Sequence, residues 1–304
     1  MSVVDEYASG RPSARLRPYV AFYSGYRQRG LAPGVHRGLP SPYLTLIFTM
    51  DEPLVVQAHP DPRQRAGSYD TLLGGLHLAP AMISHQGRQS GVQVALRPLG
   101  CRALLGLPAG ELSGLDVSAS SVLDDARIAE IRERLVTASS WPERFQTVDQ
   151  VLGRALDQPA RIGLTPPGTG RRQPALTMAG RSASGVAPEV AYAWGRLLTG
   201  SVSVATVAAE VGWSGRHLTD RFRAEVGLRP KEAARVARFD RARRALRPGR
   251  RLADLAAGFG YADQSHLVRE FRALAGCTPS GWLAGEFGFV QAMADRAAHD
   301  ERYD

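Results

Sequence analysis

The stretch that decides the fold is Ala253–Pro279, ADLAAGFGYADQSHLVREFRALAGCTP, set against Ala205–Pro230, ATVAAEVGWSGRHLTDRFRAEVGLRP. The first eight residues align at an offset of 48, which pairs Gly212 with Gly260. The rest align at 49: His217 with His266, Leu218 with Leu267, Phe222 with Phe271, Gly227 with Gly276 and Pro230 with Pro279. The second copy therefore has one more residue in its turn. Two copies are too few for a solenoid, so they read as two small modules in tandem.

Each copy has the pattern of a helix-turn-helix. A short Ala-rich helix carries Val207 and Val211, or Leu255 and Phe259, on one face at i,i+4 spacing. Small Ala208 and Ala256 leave room for a second helix to approach. Gly212 and Gly260 end the first helices, where only glycine enters a left-handed backbone cheaply. Ser214 and Asp263 are natural N-caps for the next helix. That helix buries Leu218 and Phe222, or Leu267 and Phe271, and leaves the opposite face polar and basic. An αα-hairpin repeat that binds nothing has the same short helices. Paired copies, matching caps and charge favour DNA, with the second helix of each module in the major groove.

The charge supports that partner. The chain of 304 residues carries a net +9, and 38 residues are basic, of which only Lys231 is a lysine. The arginine bias reads mainly as a genomic composition effect. Residues 186–285 hold 16 Arg or Lys against 9 Asp or Glu. Ten of those basic residues lie between Arg229 and Arg251, the join between copies. A basic excess raises the expectation of a polyanionic partner.

The motif Gly260-Tyr-Ala-Asp-Gln-Ser-His-Leu-Val-Arg-Glu-Phe271 with Gly276-Cys-Thr-Pro279, preceded by the weaker copy Gly212 to Phe222, resembles the DNA-binding domain of the AraC/XylS transcription regulators. The resemblance covers roughly residues 186–285. It implies seven helices, with two modules bridged by a long helix over about Pro230 to Leu246. It also implies a variable N-terminal sensor or dimerisation domain, a small-molecule effector, RNA polymerase as a partner and a possible homodimer. The N-terminal half is similar to the sensor region of uncharacterised actinobacterial members, on His36-Arg-Gly-Leu-Pro40 and His85-Gln-Gly-Arg-Gln-Ser-Gly91.

Side-chain chemistry assigns candidate DNA contacts. In the first module Arg216, Thr219 and Asp220 face outward with Gly215 and Arg223. Arg216 matches guanine O6 and N7 bidentately, and Thr219 suits a thymine methyl. Asp220 is odd beside phosphates; it suits cytosine N4, or orients a neighbouring arginine. In the second module Gln264, Ser265, Val268 and Arg269 are the base-reading candidates: Gln264 for adenine, Val268 for a thymine methyl, Arg269 for guanine. Arg223 and Arg272 are assigned to phosphates. His217 and His266 are assigned to the backbone as well, with a semi-buried structural role as the alternative.

The first 160 residues read as an α+β domain: a small β sheet or cupin-like barrel with helices. Tyr43–Met50 is strand-like, and Pro53–Ala58 is its expected hairpin partner. Gly91–Arg97 alternates, with Val92, Val94 and Leu96 on one face. Pro98–Leu105 reads as a short helix. Two longer helices follow, one capped by Asp124 or Asp125 and running to Ala138, the other over Trp141–Leu156. The segment 161–185 is rich in Pro, Gly, Ser, Thr and Arg and reads as a linker. Residues 286–304 form a tail.

Other function classes find little support. At 44% hydrophobic content, the chain is not a disordered one. Two cysteines give no disulfide framework, and Cys101, among Leu99, Leu104 and Leu105, reads as buried and inert. No apolar stretch approaches the roughly 20 residues of a spanning helix, and no export signal is evident, so a cytoplasmic location is expected. His36, His59, His77 and His85 are spaced by 23, 18 and 8, which fits no metal motif; no metal, cofactor or catalytic residue is assigned. The alternative is an enzyme or protein-interaction domain fused to a DNA-binding module. Candidate effector contacts are His36, Arg37, His77, Gln86 and Arg88, with Tyr43, Phe48, Leu73, Val92 and Val94 as apolar walls.

Overall fold

The computed structural model describes residues 3–157, 185–199 and 202–286. The expected linker lies outside the described residues except for Gly185. The expected tail does so except for Glu286.

Among the described residues the N-terminal half carries ten strands: β1 (Val4–Gly10), β2 (Val20–Arg29), β3 (Gly34–Gly38), β4 (Leu44–Thr49), β5 (Leu54–Ala58), β6 (Gly67–Tyr69), β7 (Thr71–Gly74), β8 (Ala81–His85), β9 (Gln89–Leu96) and β10 (Asp116–Ser118). They form two sheets rather than one. One has the order β1-β2-β9-β4-β7-β10, the other β3-β8-β5-β6. Every pairing is antiparallel.

Strand alternation divides the apolar residues of the larger sheet between two cores. Leu44, Leu46 and Phe48 of β4 and Val92, Val94 and Leu96 of β9 face one way, into the main core. Ile47 and Leu72 face the other way, onto Leu54, Val56, Ala81 and Ile83 of the smaller sheet. The expected β4–β5 hairpin is corrected by this arrangement. Strand β4 has both edges filled, by β9 and β7, while β5 pairs with β6 and β8. The chain turns after β4 into the other sheet, where Leu54 and Val56 meet Ile47 face to face.

Three helices cover the main face: α1 (Cys101–Leu105), α2 (Asp125–Thr137) and α3 (Trp141–Ala155). Ile128, Ile131 and Leu135 of α2 are buried, as are Phe145, Val148 and Leu152 of α3. Ser140 caps α3 by accepting from the Glu143 amide. Glycine lets α3 lie close on the sheet. A Cβ on Gly10 would meet the Phe145 ring at 2.4 Å, and one on Gly25 the Trp141 ring at 2.3 Å. Cys101 is fully buried, and burial pushes its thiol far up, away from reactivity.

Among the described residues the helical half contains seven helices: α4 (Pro188–Leu198), α5 (Val204–Glu210), α6 (Gly215–Val226), α7 (Pro230–Ala245), α8 (Leu252–Gly258), α9 (Gln264–Ala275) and α10 (Pro279–Glu286). The long α7 bridges the two repeats. A single buried cluster runs from the sheet and its helices into this half.

The two halves meet at the C-terminal end of α6. The turn Ala109–Leu112 packs its backbone against that end, where a Cβ on Gly110 would lie 2.2 Å from the Ala224 carbonyl oxygen. The Ser113 hydroxyl donates to the Gly227 carbonyl at 2.5 Å. Arg102 of α1 donates from Nε to both carboxylate oxygens of Glu225, at 2.8 and 2.9 Å. The Glu225 side chain is only 9% exposed, so Arg102 takes the place of water around its carboxylate. Arg102→Ala should lower stability by about 1–3 kcal/mol, because it strands a largely buried carboxylate. Adding Glu225→Gln should restore much of that loss. Denaturant unfolding of both variants checks this; a double variant no better than the single one would contradict the coupling.

Candidate nucleic-acid interface

Both helix-turn-helix modules close in the same way. The Trp213 amide donates to the Ala208 carbonyl at 2.9 Å, and the Tyr261 amide to Ala256 at 3.0 Å. Gly212 and Gly260 take left-handed φ values of 70° and 73° between the helices. The Ser214 hydroxyl accepts from the His217 amide at 3.1 Å, and the Asp263 carboxylate from the His266 amide at 2.6 Å. The additional residue of the second copy is thereby located: Trp213 answers Tyr261, and Ala262 is the insertion. Its amide donates to His266 Nδ1 at 3.2 Å.

The inner faces of α6 and α9 are seated alike. Leu218 and Phe222, and Leu267 and Phe271, are fully buried. Phe222 packs against Trp194 of α4, and Phe271 against Phe239 of α7 at 5.1 Å between centroids. Glu270 is buried on the inner side of α9 and accepts from Arg235 and Arg238 of α7. This ties the second module to the bridging helix, and sequence spacing gave no sign of it.

With the inner faces fixed, the outer ones follow. Arg216, Asp220 and Arg223 are exposed on α6; Gln264, Ser265, Arg269 and Arg272 are exposed on α9. Thr219 and Val268 are half-buried, and Thr219 donates its hydroxyl to the Gly215 carbonyl at 2.8 Å, leaving its methyl as the distinctive group. Arg221, passed over in the sequence, is also exposed on α6. His217 and His266 each stand edge-on to the turn aromatic, His217 on Trp213 at 4.6 Å and His266 on Tyr261 at 5.3 Å. Both rings are therefore positioned by their own turn. His266 Nε2 lies 3.9 Å from the Glu270 carboxylate.

Residues 207–285 match the family described as "Helix-turn-helix domain". The chain is a DNA-binding regulator with an AraC-type domain. Residues 9–118 match a second family, described as "Domain of unknown function (DUF6597)". None of the curated proteins matches the chain. Among solved structures, the chain is similar to ToxT from Vibrio cholerae, at 11% identity over 86% of this chain and 97% of that one, with a TM-score of 0.48. A fatty-acid-bound ToxT from strain SCE256 of the same organism gives 9% identity over 95% and 98%, again at 0.48. The C-terminal domain of AraT, a response regulator from Geobacillus stearothermophilus, gives 19% over 32% and 84%, with a TM-score of 0.30.

In the N-terminal half of this regulator the candidate effector residues do not converge. Phe48, Leu73, Val92 and Val94 are fully buried in the packed main core. His36 points between the sheets, its ring 6.0 Å from that of His85. By alternation its neighbour Arg37 faces outward, toward Gly276 of the helical half. Gln86 and Arg88 edge a cavity of about 110 Å³, well under the 300–1,000 Å³ of small-molecule sites. Arg88 is held there by Asp51, which also accepts from Arg29 and Ser90. Burial alone would raise the Asp51 carboxyl, but the hydrogen bonds from Arg88, Ser90 and Arg29 outweigh it and hold the group well below the usual carboxylate range. His77 lies apart from these, bordering a cleft between the halves with Arg223 and Arg229. His59 is engaged elsewhere: its Nδ1 meets the Asp116 carboxylate at 2.8 Å and its Nε2 the Tyr69 hydroxyl at 3.3 Å. With its side chain fully enclosed, that histidine joins β10 to the smaller sheet.

Two outcomes follow. Asp263→Ala should cost about 0.5–2 kcal/mol through loss of the N-cap, read by thermal or denaturant unfolding; an unchanged midpoint would deny the cap any weight. The second concerns pH. Burial, with a contribution from His85, drives His36 down to about 4 from an ordinary 6.5. Between those values the unfolded chain takes up a proton that the folded chain refuses. The stability is therefore fully present above about 6.5 and falls by roughly 3 kcal/mol as the pH drops toward 4. His36→Gln should flatten that part of the stability–pH curve, and an equally steep curve would refute the assignment.

Proposed function

We propose that the two modules read one asymmetric operator across successive major grooves, and that a small molecule bound in the N-terminal half sets operator affinity. The observation that carries this reading is the pair of matching outward faces on α6 and α9. Each is held by its own N-cap and buried phenylalanine. Arg216, Thr219 and Asp220 are the base-reading set of the first module; Gln264, Ser265, Val268 and Arg269 are that of the second. Arg223 and Arg272, with His217 and His266, contact the phosphate backbone.

The remainder of the reading extends from there. Residues 1–160 act as the sensor or dimerisation domain, 161–185 as the linker, 186–285 as the DNA-binding domain and 286–304 as a tail. RNA polymerase is the expected functional partner, a homodimer a possible assembly, and the cytoplasm the expected compartment. No described helix is long and apolar enough to cross a membrane. No catalytic role is assigned.

DNA footprinting tests the arrangement. Protection should cover two major grooves on one face of the duplex, about 34–36 Å apart, within a non-palindromic site. Protection of a single groove would defeat it. Arg216→Ala and Arg269→Ala should each cost roughly 1–3 kcal/mol and relax base preference at one position. Arg223→Ala and Arg272→Ala should weaken binding evenly across sequences and lower its salt dependence. Binding-site selection with each variant separates the two classes.

A further inference from the structure

A larger cleft opens at one end of the six-stranded sheet, away from the candidate effector residues apart from Tyr43. Its volume is about 440 Å³, within the range of small-molecule sites. Three arginines line it, Arg11, Arg17 and Arg97, together with Val20, Phe22 and Tyr43; no Asp or Glu is among its lining residues.

Two of the arginines are already oriented. Arg17 donates from Nε to the Pro12 carbonyl at 3.3 Å, and Arg97 from Nε to the Arg17 carbonyl at 3.1 Å. These bonds hold each guanidinium by its inner nitrogen. Among the described residues nothing accepts from the terminal Nη groups of either. Those groups supply the donors that grip a carboxylate or phosphate in a fork. The Arg17 and Arg97 guanidiniums share one cleft and repel each other, and a dianion offsets that repulsion more than a monoanion does. The opposite wall is aromatic: Phe22 and Tyr43 meet edge to face at 5.6 Å and 83°.

This wall also touches the DNA-binding half. The guanidinium of Arg244, on the bridging helix α7, stands over the Phe22 ring at 5.6 Å. Arg244 is buried and donates to Asp240 at 2.8 Å. The cleft and the helix that spaces the two modules thus share one side chain, Phe22.

We propose that this cleft binds a small organic phosphate, its dianionic head on Arg11, Arg17 and Arg97 and its flat apolar part on Phe22 and Tyr43, and that it is the effector site. The assignment rests on the effector reading given above and adds the place and the chemistry. A ligand pressed on Phe22 acts on the Phe22–Arg244 contact and through it on α7. It regulates only if it binds the DNA-competent and incompetent states with different affinity.

Calorimetric titration of the full chain with phenyl phosphate, inorganic phosphate and benzoate tests the site. Phenyl phosphate should bind, benzoate at least tenfold more weakly, and inorganic phosphate more weakly than phenyl phosphate. Arg17→Gln, Arg97→Gln and the double variant that combines them should each weaken phenyl phosphate at least tenfold, with the unfolding midpoint as a check that the exposed substitutions leave the fold intact. Failure of phenyl phosphate to bind, equal affinity for benzoate, or an unaltered affinity in the double variant overturns the site. A DNA fragment selected by the protein supplies the second readout. Phenyl phosphate should shift the affinity for it in the wild-type chain and not in the double variant. Binding with no such shift overturns the effector assignment of this cleft. A double variant that binds DNA more weakly without any ligand makes the arginines phosphate contacts of DNA, which also overturns it. Should another metabolite shift DNA affinity while phenyl phosphate does not bind, the effector reading stands and this cleft is the part that fails.

Discussion

The C-terminal end of α6 is the constraint on which the arrangement of the two halves depends. The last turn of a helix leaves carbonyl groups without intrahelical partners. Here the turn Ala109–Leu112 lies directly against them, at a separation that only glycine at position 110 permits. Ser113 supplies a donor to Gly227, and Arg102 neutralises Glu225. The same helix carries Arg216, Thr219 and Asp220 at its other end. The second helix of the first module is therefore anchored at its far end by the N-terminal half. Any rearrangement of α1 or the following turn bears on how that helix is presented.

The second module is anchored differently. Its second helix α9 is tied through Glu270 to Arg235 and Arg238 of α7, and α7 in turn meets Phe22 through Arg244. Both modules thus connect to the N-terminal half: the first at the end of α6, the second through the bridging helix and beside Gly276, where Pro80 and Arg37 lie close. The Glu270 carboxylate is almost fully enclosed and faces two guanidiniums, so the tie is charge-assisted and partly buried, unlike a solvent-exposed ion pair. Local features of each module, the N-cap and the aromatic–histidine contact, set the start of its second helix. Long-range ion pairs set where that helix sits.

Much of the helical half was legible in the residues because its determinants are local. A cap needs a Ser or Asp beside a helix start, a turn needs glycine at a positive φ, and a buried stripe needs i,i+4 spacing; all three are read within a dozen positions. Ser214, Asp263, Gly212, Gly260, Phe222 and Phe271 each do what their type and place imply. The repeat added a check, since an error in one copy would have to recur in the other. His217 and His266 were less legible: their orientation depends on Trp213 and Tyr261, whose roles emerge only once the turn is closed.

The N-terminal half was decided at longer range. Strand β5 follows β4 after a short turn, yet β4 has its edges taken by β9 and β7, strands distant in sequence. No local pattern reports which edge is free. The same limit applied to the candidate effector residues: alternation put His36 inside and Arg37 outside, Asp51 claimed Arg88, and the supposed apolar walls closed on themselves. The amino-acid sequence by itself determined the paired modules, their caps and their outward faces, because those follow from spacing along one helix. The tertiary structure alone decided the two-sheet layering, the Arg102–Glu225 junction and the arginine-lined cleft, because each requires residues far apart in the chain to meet.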